Sequence, residues 1–347
     1  MSGTSLDGLD LADVKFSRDD NGNWSFDLIS AETITYTSEL RERIFQAPKL
    51  SAEKISLLSV ELSQFYADQI NQFISTNHID RKDIYAISSH GQTIFHQPER
   101  SLTLQIGNTP HIAIQTGIKS VVDFRTKDVA LGGNGAPLIP IVDHLLFKNK
   151  AQGYLNLGGF SNLSFTNDGV VRSFDVGPAN IVINYLVSQQ GLTMDEDGRI
   201  AASGKLNQEL LSSLNKLEYY TKEGPKSLGW EWVEKAVLPM FNNDLSIEDK
   251  LHTYVFHITG QLNIAFKKAN ISSVMITGGG AHNSFLIDQL TNKYAGEIVI
   301  PSKEIVDFKE AIGFAFLGLL RCLNETNVLS SVTGARKDSC SGVIYKS

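Results

Sequence analysis

Four stretches carry residue types that could do chemistry. "VMITGGGAHN" is an apolar strand, Val274 to Thr277, ending in Gly278, Gly279 and Gly280 before a helix. Ligands bind where strands end and helices begin, and bare glycine backbone lets a flat adenine or a ribose lie close. A tight turn is the plain alternative, and it needs one glycine rather than three. "SFDVGPANIVIN" ends a strand on Asp175, ahead of Gly177 and Pro178. Asp175 is either a general base facing a cleft or an acid near a helix start, with Pro178 suited to the first helical turn. "SSHGQTIFHQP" gathers Ser88, Ser89, His90, Gly91, Gln92 and Thr93 at one polar tip, which suits a hydroxyl-rich ligand. His90 and His96 lie six apart with no carboxylate at metal spacing, which argues against zinc. "VVDFRTKDVALGGNGAPLIP" offers Arg125, which either clamps a carboxylate bidentately or pairs with Asp123 or Asp128.

Three further places belong with these. The opening "MSGTSLDGLDLADVKF" sets Gly3, Thr4, Ser5, Asp7 and Gly8 before an alternating strand. Those residues could cradle phosphate oxygens and hold Mg²⁺ through Asp7, or form a plain hairpin. "LNLGGFSNLSFTNDG" repeats the pattern later, so two such hairpins could face each other across a cleft. Glu310 starts the apolar helix of "FKEAIGFAFLG", where a glutamate matches the helix dipole in any case. The familiar phosphate loops are absent. In "GRIAASGKL" five residues rather than four separate Gly198 from Gly204, and in "GGNGAPL" Pro137 follows the glycines. His252 and His257 do not share a helix face. Tyr219 and Tyr220 read as packing or surface residues, and Trp230 and Trp232 as a loop staple.

The elements that position these residues alternate between strands and helices, which predicts a mixed α/β fold. Strands are expected at "LDLADVKF", "WSFDLIS", "ETITYT", "DIYAISSH", "LTLQIG", "KSVVDF", "GYLNLGG", "NLSFT", "VVRSFDVG", "SVMITGGG" and "EIVIPS". Helices are expected over 51–77, 136–148, 178–190, 205–216, 247–269, 283–294 and 308–323. The first has Ser51 as its cap and apolar residues at helical spacing. A chain of 347 residues suits two lobes. Hydrophobic residues make up 42% and charged residues 20%, which is globular composition. The net charge of −7 disfavours nucleic acid or an anionic membrane as partner, but not ATP. Two cysteines, Cys322 and Cys340, can build neither a disulfide framework nor a zinc site. No signal peptide opens the chain, and "AIGFAFLGLL" is too short to span a bilayer, so a cytoplasmic setting is expected.

Taken together, "SGTSLDGLD", "SHGQTIFHQP", "LTLQIGN", "VVDFRTKDVALGGNGAPLIP", "NLGGFSN", "FDVGPAN", "DEDGRIAASG", "PKSLGWEW", "TGGGAHN" and "EAIGFAF" resemble, in order, the anhydro-N-acetylmuramic acid kinases. The resemblance implies two ribonuclease-H-like lobes of the actin-like ATPase fold with an interlobe cleft. Residues 1–127 would form the N-terminal lobe, completed by helix 308–323, and 128–347 the C-terminal lobe. It implies that ATP, Mg²⁺ and water convert 1,6-anhydro-N-acetylmuramic acid into N-acetylmuramic acid 6-phosphate, a step in peptidoglycan recycling. Asp175 would activate the water, and Glu310 would orient water or sugar. ATP would meet Gly3, Thr4, Ser5, Leu6, Asp7, Gly8, Leu9 and Asp10, then Gly158, Gly159 and Asn162, and Gly278 to Gly280. The sugar would meet His90, Gly91, Gln92, Thr93, Arg125, Asn156 and Asn180; that Arg125 pairs with the lactyl carboxylate is a separate expectation from its chemistry, not one the resemblance implies. A homodimer is implied. The sequence departs from the family at Met194 and Trp230, and in the short apolar strand usual before "SGTS", where Met1 stands at the last position. An added apolar segment of about five residues is therefore expected to raise stability and ATP affinity.

Overall fold

A computed structural model describes residues 1–3, 6, 8–222, 226, 228–241 and 244–347. Thr4, Ser5 and Asp7, all expected at the phosphates, lie outside the described residues. The chain forms two compact units, Met1–Leu146 with Phe308–Ser347, and Phe147–Asp307.

Unit 1 opens with a long hairpin, β1 (Gly8–Arg18) against β2 (Trp24–Thr35). "WSFDLIS" and "ETITYT" are therefore one strand. Apolar residues alternate along β1, so Leu9 and Leu11 enter the core. The Ala52–Thr76 helix begins at Ser51, whose Oγ accepts from Lys54 N, and it buries Leu58, Leu62, Tyr66 and Phe73. Each such side chain contributes roughly 1.5–3 kcal/mol on burial. β3 (Ile87–Ser88) runs parallel to β6 (Ser120–Val122), while β4 (Gln92–Gln97) and β5 (Leu102–Ile106) form a second hairpin.

The unit boundary differs from the expected break at 127/128. Asp128 is fully buried, accepting from Gly135 N and Thr333 Oγ1, so the glycine-rich loop folds around it. Asp143 on the Pro140–Leu146 helix pairs with Lys309 at 2.6 Å, both buried. The last strand, β12 (Val343–Tyr345), pairs antiparallel with β6. These contacts tie 128–146 and the whole C-terminus to unit 1. The Lys303–Cys322 helix starts before 308, and its residues from Phe308 onward belong to this unit.

Unit 2 holds one five-stranded sheet in the order β11–β10–β7–β8–β9. β7 (Gly153–Leu157), β8 (Phe160–Asn167) and β9 (Val170–Pro178) form an antiparallel meander. β10 (Ser273–Thr277) pairs parallel to β7, and β11 (Glu297–Val299) parallel to β10. Three meander strands with two parallel strands beyond the first is the ribonuclease-H-like arrangement that the resemblance implies. The Ile247–Lys268 helix covers this sheet and buries Leu251, Tyr254, Val255, Ile258, Leu262 and Phe266 in its core. Among the described residues no helix is long and apolar enough to cross a membrane.

Candidate active site

Asp175 lies on β9, and the register makes it one of a row. Thr277 stands opposite Asn156, Asn156 opposite Asn162, and Asn162 opposite Asp175. Directly opposed residues point to one face, so four strands deliver a polar line to one side of unit 2. Asn162 Nδ2 donates to Asp175 Oδ1 at 3.0 Å, and Leu228 N donates to Oδ2 at 2.9 Å. The Asp175 main chain is held as well, with its N–H on Lys226 O and its carbonyl accepting from Tyr219 Oη at 2.6 Å. One donor on each oxygen leaves lone pairs free. Burial pushes the carboxyl pKa up, against the pull of the two hydrogen bonds. The carboxylate does not cap the following helix, which starts at Asn180 behind an uncapped Ala179. Pro178 accordingly closes β9 rather than opening that helix. Such an oriented, half-buried carboxylate has the chemistry a general base needs.

Asn162, expected at the phosphates, is occupied in holding the base, and its Oδ1 accepts from Ser173 Oγ. The helix amides of Ala179, Asn180 and Ile181 are satisfied instead by the carbonyls of Gly158 and Gly159 at the β7–β8 turn. Asn180 Nδ2 donates to Leu157 O at 3.2 Å, which sets Asn180 beside the triple-glycine turn rather than apart from it.

The three glycines of that turn differ. Gly278 has φ +84° and ψ 165°, a region open to glycine alone, and a Cβ there would strike Asn156 Oδ1 and the Leu157 backbone. A Cβ on Gly280 would meet Leu157 at 2.8 Å. Gly279 faces open space, with nothing within 4 Å of such a Cβ. Packing explains Gly278 and Gly280, whereas no atom of the chain crowds Gly279. Gly278→Ala is therefore expected to lower stability by about 1–3 kcal/mol from strain alone. Gly279→Ala should leave the melting temperature unchanged and weaken nucleotide binding, read by calorimetry on the same preparation.

Unit 1 gathers a second cluster. Arg125 donates from Nε to His90 Nε2 at 2.9 Å and from Nη1 to Gly135 O at 2.6 Å. Because His90 Nε2 accepts, its proton sits on Nδ1, which donates to Gly91 O at 2.9 Å. Burial, then the Arg125 charge, holds this imidazole well below its ordinary pKa, so His90 is a neutral positioning group. Among the described residues Arg125 makes no ion pair with Asp123 or Asp128. Burial lowers its pKa to about 10, opposed by Glu310 and Asp128, so it stays charged at neutral pH. Glu310 reaches solvent although protein surrounds it. That environment raises its pKa by desolvation, and Arg125 counters the rise.

Gln92 is buried and accepts from Ser2 Oγ, which also contacts Tyr36 Oη at 2.7 Å. Thr93 Oγ1 takes a long bond from Gln105 at 3.4 Å. Gly91 has φ +74°, and a Cβ there would meet Ile106 O at 2.6 Å, so packing demands it. Of the opening turn, Gly3, Leu6 and Gly8 to Asp10 are described. Gly8 abuts the Ile34 carbonyl, the Leu9 side chain is in the core, and Asp10 Oδ1 accepts from Thr33 Oγ1 at 2.7 Å.

Sequence reasoning missed the grip on Asp175. Tyr219 is buried and donates to the Asp175 carbonyl, and Lys226 O and Leu228 N hold the Asp175 main chain and carboxylate. Trp232 does pack on Tyr219 and Trp230 on Tyr185, as a staple would. His252 and His257 have separate partners, Ala201 O for the first and Asn215 with Tyr220 for the second.

A family model described as anhydro-N-acetylmuramic acid kinase matches residues 1–347. A protein of that name from Sulfurimonas denitrificans is 33% identical over 368 residues, covering 100% of this chain and 98% of the relative. One from Xanthomonas axonopodis pv. citri is 35% identical, covering 99% and 96%. One from Shewanella loihica is 33% identical, covering 99% and 97%. The solved activator of the 2-hydroxyisocaproyl-CoA dehydratase of Clostridium difficile, with bound ADPNP, covers 89% of this chain and 94% of its own. Its identity is 12% and its TM-score 0.43, a likeness too slight to bear on the site.

Proposed function

The chain belongs to the anhydro-N-acetylmuramic acid kinase family, and from that premise we propose that it phosphorylates 1,6-anhydro-N-acetylmuramic acid while opening its anhydro ring with water. The observation that carries this reading is the half-buried Asp175 carboxylate, fixed by Asn162 and Leu228 with lone pairs to spare. The substrate has no free 6-hydroxyl, because O6 is tied to C1. Water oxygen bonds to C1 as Asp175 takes the water proton. The C1–O6 bond breaks, O6 bonds to the γ-phosphorus, and ADP departs with the electrons of the broken P–O bond. Cleaving an anomeric bond builds oxocarbenium character, which a nearby carboxylate stabilises.

Arg125 and Glu310 serve the sugar in this proposal, Arg125 on its carboxylate and Glu310 on water or a hydroxyl. The open Gly279 turn suits the nucleoside of ATP. Mg²⁺ on the ATP phosphates would neutralise their charge during transfer. Its expected partner, Asp7, lies outside the described residues, and among those described no cluster of three or more His, Cys, Asp or Glu could hold a metal. No protein ligand is assigned to it. A cytoplasmic homodimer is part of the same proposal.

The test is a single turnover with Mg-ATP and the anhydro sugar in ¹⁸O-water, quenched at once and read by mass spectrometry. The expected product is a sugar 6-phosphate carrying one ¹⁸O at C1, above a blank of finished product held in the same water. An unlabelled phosphate would indicate a kinase acting on a free hydroxyl and would overturn the hydrolytic step.

A further inference from the structure

On the face of the unit 2 sheet opposite Asp175 lies a cavity of about 360 Å³. Side chains alternate along a strand, so Phe174 points away from the base. Phe174 stands opposite Leu163 and diagonal to Phe165. The rings of Phe165 and Phe174 meet edge to face, with centroids 6.2 Å apart, and form the floor. The roof is the end of the Ile247–Lys268 helix. Gln261, Ile264, Ala265, Lys268 and Ala269 follow the spacing of one helical stripe, and all five line the cavity. Earlier in the helix Tyr254, Ile258 and Leu262 fill the layer between helix and sheet. Here the helix offers Ala265 and Ala269, and the layer stays unfilled. Tyr220, Lys222 and Lys226 close the third side.

The charge of this cavity is one-sided. Lys222, Lys226 and Lys268 line it, and among the described residues no carboxylate does. Lys222 pairs with Glu218 at 3.4 Å. Lys268 has no hydrogen bond or ion pair among the described residues. Lys226 Nζ donates to Tyr219 O at 3.1 Å and to Lys222 O at 3.2 Å. An ammonium carries three donors, so one is left over. Partial burial lowers the Lys226 pKa, and the Lys268 and Lys222 charges lower it further. An anion among them would relieve that repulsion. We propose that this cavity binds a small aromatic carboxylate, and that the bound anion tightens the grip on Asp175.

The two phenylalanine rings and the two alanines take the flat body, in a volume at the small end of ligand sites. Lys226 and Lys268 take the charge. None of the lining residues is one assigned to the sugar or the nucleotide. Coupling to the base runs through Lys226 itself. Its carbonyl accepts from Asp175 N at 2.9 Å. Its ammonium holds the carbonyl of Tyr219, whose hydroxyl donates to the Asp175 carbonyl. Leu228, two residues on, donates to the carboxylate. An anion on the third donor of Lys226 pins this segment without displacing either existing bond.

The test titrates 2-naphthoate into the full chain by calorimetry, with a Kd of about 0.1–1 mM expected for a ligand of this size. 2-Naphthamide keeps the body without the charge, and inorganic phosphate keeps charge without the body. Each should bind at least about tenfold more weakly. Lys268→Glu, at the exposed end of its helix, should keep the melting temperature and weaken 2-naphthoate at least about fivefold. At about ten times Kd, 2-naphthoate should slow exchange of the Asp175 and Leu228 amides by about three- to tenfold. No binding, equal binding of either control compound, or equal binding by Lys268→Glu would overturn the site. Binding that leaves both amides exchanging at the ligand-free rate would overturn the coupling to Asp175.

Discussion

Asp175→Asn should lower turnover about 10²–10⁴-fold while ATP still binds, the loss typical of removing a general base. The geometry explains why the fold should survive. Asparagine keeps the shape and still accepts from Leu228 N; a flip of the Asn162 amide lets its Oδ1 accept from the new Nδ2 and its Nδ2 donate to Ser173 Oγ, and the main-chain bonds to Lys226 and Tyr219 do not involve the side chain. Stability points the same way. Burial raises the Asp175 pKa in the folded chain, so the folded state holds this proton more tightly than the unfolded one. Its contribution to stability is then lost as pH rises from the ordinary aspartate value through the raised one, and at neutral pH the charge is a burden. The variant should therefore melt no lower than the parent at pH 7.

In the proposed role, the same carboxyl should set the acid limb of the rate profile. The base must be ionised, so kcat/KM falls as pH falls through a pKa above the usual carboxylate range. That limb should vanish from the residual activity of Asp175→Asn. A variant with near-parental turnover, or with an unchanged acid limb, removes Asp175 from the role.

How far the sequence discloses this site depends on how local each contact is. The Ala52–Thr76 helix is readable because Ser51, one residue ahead, caps it and its apolar residues recur at helical spacing. The turn at Gly278 is readable because an apolar strand runs straight into it. The triple glycine, however, mixes two causes that the letters do not separate. Gly278 answers to Asn156, about 120 residues away in sequence, and Gly279 to nothing in the chain. The holders of Asp175 are likewise distant, with Leu228 N 53 residues on and Tyr219 Oη 44. No local pattern marks a backbone amide as a carboxylate donor. β4 escapes notice because Gln92, His96 and Gln97 interrupt its alternation. The return of β12 to β6 moves the unit boundary, and a three-residue strand at the end of the chain has no periodicity to read. Helix starts, strand faces and turns are thus legible, whereas cross-strand rows and loop-to-base contacts exist only once the sheet has formed.

Arg125→Lys should raise KM for the anhydro sugar roughly 10–150-fold, the loss of one charge-assisted hydrogen bond, and change kcat far less. Only two of the five guanidinium N–H groups have partners among the described residues, His90 Nε2 and Gly135 O. Those two bonds fix the plane of the fork and leave the rest of its donors for a ligand. A charge that burial already disfavours gains most from an anionic partner, since each charge-assisted hydrogen bond contributes about 1.5–3 kcal/mol. Lysine keeps the charge and loses the planar two-point contact, so the loss measures the fork rather than the field. The distinguishing arm is 1,6-anhydro-N-acetylglucosamine, which lacks the lactyl carboxylate. If Arg125 clamps that group, the parent binds this analogue poorly and Arg125→Lys binds it no worse than the parent does. A structural role through His90 would weaken both sugars by the same factor and lower the melting temperature as well. Equal penalties on the two sugars would therefore assign Arg125 to holding the His90 loop, and the carboxylate would need another partner.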